Sequence, residues 1–84
     1  MNTINKEEIT KFVMEAIRQN SNQTIEEIDI NKDLYVYIAT SIEFIKLIVE
    51  IEEQYDLSFS NEELAEKTQY LVGDLIQDVY DKTM

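Results

Sequence analysis

Apolar residues recur with helical spacing in three long stretches of this chain, and the polar positions between them mark where each stretch stops. Ile9, Phe12, Val13, Ala16 and Ile17 fall at i, i+3, i+4, i+7 and i+8, a one-faced stripe. Asn5, three residues before Glu8, predicts the start of this helix. The pair resembles a capping box, in which amide oxygen and carboxylate each satisfy a free backbone N–H. The run Asn20-Ser21-Asn22-Gln23-Thr24 ends it. A second helix is predicted from about Ser41 to Tyr55. At ~100° per residue, Phe44, Leu47, Ile48, Ile51 and Tyr55 share one broad face. Ile42, Ile45 and Val49 form a second apolar strip beside it, and Glu43, Lys46, Glu50 and Glu53 occupy the remaining stripe. An apolar arc this wide belongs to a central helix, or to one whose apolar rim meets a partner.

Ser60-Asn61-Glu62-Glu63 reads as a capping box opening a short third helix through about Glu66. Leu57 and Phe59, just before it, read as anchors for the connection. The last helix is expected over roughly Tyr70 to Lys82, with Val72, Leu75, Ile76, Val79 and Tyr80 at helical spacing. Gly73 lies in its first turn, where a glycine costs less than in mid-helix. The segment from Thr24 to Ala39 is less regular. Tyr35-Val36-Tyr37-Ile38 has strand character, but no second run of that kind exists to pair with it. The segment is therefore read as a long loop pinned by its apolar side chains, Tyr35 and Tyr37 among them, with a short helical turn near Ile25–Ile28 as an option. The expected fold is all-α: one domain over residues 1–84, a small bundle of three main helices plus one short helix, with a long first loop.

Composition supports this and narrows the function. One glycine and no proline in 84 residues disfavour sheets built on tight turns. Eighteen acidic against seven basic residues give a formal net charge of −11. That surface repels phosphate backbones and anionic lipid, which argues against nucleic-acid and membrane binding. It draws basic patches on protein partners. The plainer role of such charge is solubility. Cysteine and histidine are both absent, which removes disulfides, thiolate metal sites, thiol nucleophiles and histidine bases. No signal-peptide-like apolar run stands at residues 1–8, and no segment is apolar for long enough to span a bilayer. The expectation is a cytoplasmic monomer that is not an enzyme.

Ser41 opens the most ordered stretch of the chain. Such a serine can cap its helix, the ordinary role of serine there, or it can be an attachment point exposed at the positive end of the helix dipole. The residues around it carry a resemblance. Ser-Ile-Glu-Phe-Ile-x-Leu-Ile-Val-x-Ile-Glu-Glu-x-Tyr-Asp at 41–56, then Phe59-Ser60-Asn61-Glu62-Glu63, is similar to the signature half of acyl and peptidyl carrier proteins. That family typically shows Asp-Ser-Leu, an acidic helix ending in Leu-Glu-Glu-x-Phe, then Ile-Pro-Asp-Glu-Glu. The match is ungapped from about Thr40 to Leu64. Length, acidity, helix order and the long first loop agree over nearly the whole chain.

The resemblance implies that Ser41 bears 4′-phosphopantetheine through a phosphodiester, with the thiol of the arm carrying acyl or aminoacyl groups as thioesters. It implies a phosphopantetheinyl transferase and pathway enzymes with basic docking patches as partners. The apolar strip of Ile42, Ile45 and Val49 would dock onto them, with Glu43, Lys46, Glu50 and Glu53 as the charges around it. Two positions depart from the pattern: Thr40 stands where aspartate is usual, and Ile38 where glycine is usual. Lys46 occupies a position commonly acidic in fatty-acid carriers, and it could pair with its helix neighbours for a few tenths of a kcal/mol. These departures point to a free-standing carrier of a specialised polyketide or nonribosomal peptide pathway. The alternatives are a fatty-acid or D-alanyl carrier, or an acidic helical adaptor or inhibitor without a prosthetic group.

Overall fold

The computed structural model describes residues 5–65 and 69–84. Among the described residues four α-helices follow in order: α1 over Lys6–Asn20, α2 over Ser41–Tyr55, α3 over Asn61–Ala65 and α4 over Val72–Thr83. A single 3₁₀ turn, Leu34–Val36, lies in the long connection between α1 and α2. The expected all-helical bundle with one short member is observed.

α1 begins where the polar pattern placed it. The Asn5 amide oxygen accepts from the Glu8 N–H at 2.8 Å, one half of the anticipated reciprocal pair. Its stripe of Ile9, Val13, Ala16 and Ile17 is buried and packs against both α2 and α4. Leu47, Ile48 and Ile51 from α2, and Val72, Leu75, Ile76 and Val79 from α4, complete the same core. α2 ends at Asp56, which takes a left-handed backbone (φ 52°) and donates its N–H to the Glu52 carbonyl. Aspartate is one of the few non-glycine residues that adopts this geometry readily. At α3 the capping box is reciprocal, Glu63 N to Ser60 Oγ at 3.0 Å and Ser60 N to Glu63 Oε1 at 3.1 Å. The expected end of α3 near Glu66 lies outside the described residues.

Two expectations shift. The helical turn in the first loop forms at Leu34–Val36 rather than near Ile25–Ile28, and the Asp33 carboxylate caps it by accepting from Tyr35 N at 2.9 Å. α4 starts at Val72, two residues later than its periodicity indicates. Tyr70 and Leu71 are held extended instead, because Leu34 donates its N–H to the Tyr70 carbonyl at 2.6 Å and Asp33 bridges to Leu71. The first N–H groups of α4 then point at the loop. Val72 N reaches the Lys32 carbonyl at 3.0 Å and Gly73 N the Ile30 carbonyl at 2.9 Å. No side chain caps this helix; the loop backbone does so. The glycine is explained by the same approach, since a Cβ at Gly73 would lie 3.1 Å from the Ile30 oxygen.

The loop is otherwise anchored by buried Ile28, Leu34, Tyr37 and Ile38. Tyr37 accepts the Asp29 N–H on its hydroxyl at 2.9 Å. Tyr70, almost fully buried, donates its hydroxyl to Asp78 at 2.6 Å. Burial, reinforced by that carboxylate, pushes its phenol well above the usual tyrosine range.

Candidate functional site

The loop delivers the chain to the start of α2 at Ala39 and Thr40. Thr40 is extended (φ −122°, ψ 158°) and is the N-cap: its hydroxyl oxygen accepts from Glu43 N at 3.2 Å. The same hydroxyl donates to Glu43 Oε2 at 2.8 Å. Thr40-x-x-Glu43 is thus a capping box, and it takes over the role that serine would fill. Ser41 sits one residue inside the helix with its side chain exposed. Its hydroxyl is left available at the end of α2 where free N–H groups and the helix dipole tolerate an anion.

Glu43 does not lie on the solvated stripe where the helical plot puts it. It is only 5% exposed. Its carboxylate turns toward the end of α1 and collects the Asn22 N–H at 3.1 Å and the Asn22 amide at 3.3 Å, besides Thr40. These donors, the Thr40 hydroxyl first, outweigh the cost of burial and hold its pKa below the ordinary glutamate value of 4.5. The effect is a clasp. One carboxylate ties the exit of α1 to the entry of α2 and so fixes the backbone on either side of Ser41.

Beside Ser41 an open concavity of about 400 Å³ is lined by Tyr35, Ile38, Ala39, Thr40, Phe44 and Ile45. The Tyr35 and Phe44 rings form one wall, with centroids 5.9 Å apart. Further along α2 the apolar strip is at the surface, with Ile42 66%, Ile45 59% and Val49 42% exposed. Side chains this apolar and this accessible in a row are not core. Of the charges expected around them, Lys46 and Glu53 are exposed. Glu50 is half-buried and accepts from the Asn20 amide at 2.6 Å. The site therefore gathers Ser41, Ile42, Ile45, Lys46, Val49 and Glu53 on one arc of α2, sets Glu50 at its edge and withdraws Glu43.

Thr40 makes the cap bond, and the hydroxyl of Ser41 is left accessible at the helix start. The family model described as "Phosphopantetheine attachment site" matches residues 11–70. The chain belongs to that family. No curated protein and no solved structure matches it. Membership makes this a carrier domain whose cofactor is 4′-phosphopantetheine, bound covalently through a serine. Carriers of this family work with phosphopantetheinyl transferases and with the enzymes of their pathways. Among the described residues, no helix is long and apolar enough to cross a membrane.

The surroundings of α2's first turn suit such a group. The hydroxyl is accessible, the positive end of the helix dipole favours an anion such as a phosphate, and the adjoining concavity is apolar enough for the arm to lie against. When bound, the group supplies the thiol that this polypeptide lacks. Sequence reasoning passed over the Thr40–Glu43 clasp, although Thr-x-x-Glu ahead of an apolar run is a readable capping signal.

Proposed function

We propose that Ser41 is the residue that receives 4′-phosphopantetheine, and that the protein presents acyl or aminoacyl thioesters to the enzymes of a specialised polyketide, nonribosomal peptide or related pathway. The observation that carries this reading is the division of labour at the start of α2: Thr40 caps, and Ser41 stands exposed beside it. The chain contributes no catalytic side chain, working in the cytoplasm as a single carrier domain and leaving the chemistry on the thioester to its partners. Ile42, Ile45 and Val49 form the apolar centre of the surface that meets those partners, with Lys46, Glu50 and Glu53 around it.

Intact mass after incubation with coenzyme A and a phosphopantetheinyl transferase tests the reading. One added arm is expected on the wild type and none on Ser41→Ala. A wild-type protein that stays unmodified would place it with acidic adaptors instead.

A further inference from the structure

We infer that the surface docking onto α2 carries a carboxylate opposite Lys46, so that a uniformly basic patch is the wrong complement for this carrier. The inference rests on the docking reading of the exposed strip and specifies the chemistry of the partner.

Lys46 is the one cation between Ser41 and Tyr55, against four glutamates. A helical lysine finds carboxylates three or four residues away, which here means Glu43 and Glu50. Neither meets it. Glu43 is buried in its clasp with Thr40 and Asn22, and Glu50 takes the Asn20 amide. Glu52, on the other side of the strip, accepts the Phe59 N–H at 2.9 Å. Among the described residues the ion pairs are Arg18–Glu15 and Lys82–Glu63, and Lys46 joins neither. The fold withdraws Glu43 from this ammonium and ties one oxygen of Glu50 to Asn20, so Lys46 makes no ion pair within its own helix.

Its neighbours on the outward arc are apolar. Ile42 lies four residues before it and Val49 three after, both exposed. The next exposed acid on this line is Glu53, seven residues on and about 10 Å along the axis. That separation is close to a Debye length at physiological salt, so a partner meets the two charges as separate features. From the Ser41 end the strip reads cation within apolar residues, then anion. Its complement is an apolar patch with a carboxylate toward the serine and a base toward Glu53.

Burying Lys46 against a second cation, or against apolar surface alone, would leave a desolvated charge without a counter-ion. The overall charge of −11 draws basic partners from a distance, and Lys46 then rejects those that lack the acid. That is discrimination by a repulsive element rather than by added affinity.

The test uses the phosphopantetheinyl transferase encoded in the same genome, with the full-length protein as substrate. Lys46→Glu should raise KM about tenfold with kcat retained, measured at a temperature where circular dichroism shows the variant folded, and Lys46→Arg should stay within about twofold with its thermal midpoint unchanged. A carboxylate-to-lysine change on the carrier-binding face of the transferase should restore Lys46→Glu. Unchanged or faster modification of Lys46→Glu overturns the inference, as does the failure of every such transferase variant to compensate. A concentration-dependent dimer abolished by Lys46→Glu also overturns it, by giving the strip to a second copy. If wild-type Ser41 is not modified at all, the carrier reading has failed first and this inference falls with it.

Discussion

Ser41 and Thr40 are adjacent hydroxyl residues with separate tasks, and substitution should tell them apart. Ser41→Ala removes an exposed hydroxyl that makes no cap. Stability measured by urea denaturation should change by no more than about 0.5 kcal/mol, while the modification seen by mass is lost. Thr40→Val removes the cap and should cost about 1 kcal/mol, with Ser41 still in place to be modified. Glu43 belongs to the same device and adds a pH dependence. Its folded pKa is depressed, so its contribution is present above the unfolded glutamate value and is lost as pH falls through the folded one. The difference in thermal midpoint between wild type and Glu43→Gln should be full at neutral pH and should close on acidification below 4.5. A difference that persists unchanged in acid would mean that shape rather than charge holds the clasp.

Among the elements, α1 and α2 are legible in the sequence because each has a local start signal and an apolar face of regular period. α4 departs from its periodicity by two residues for the opposite reason. Its first turn is settled by carbonyls of Ile30 and Lys32, distant in sequence, and no local pattern encodes that. The same limit applies at the site. The exposure of Ile42 and Val49 is implied only by the resemblance to carrier proteins, since an apolar arc this wide by itself fits a core helix equally well. The burial of Glu43 is not legible in the same way, because Asn22, which supplies two of its donors, arrives from another part of the chain. Gly73 gives the sharpest test of the loop's role. An exposed glycine in a helix normally gains up to about 1 kcal/mol on replacement by alanine. Here the new methyl would press on the oxygen that Gly73 N bonds. Gly73→Ala should therefore lower the urea midpoint, and a rise would show that the loop can retreat without loss.

For the whole molecule, charge crowding is expected to limit stability. With −11 on 84 residues, self-repulsion opposes compaction and salt screens it. The thermal midpoint should rise between low and moderate salt, and a flat response in calorimetry would remove charge crowding as a limit on stability. The way the loop caps α4 also bears on motion. Elements that share hydrogen bonds open together, so the long loop cannot lift away alone: its departure strips the first turn of α4 of its acceptors. Amide hydrogen exchange should then report one protection factor for Leu34, Val72 and Gly73, though they are far apart in sequence. Any widening of the domain to admit a bulky guest from that side would proceed as a single cooperative event, with the last helix fraying as the loop swings out.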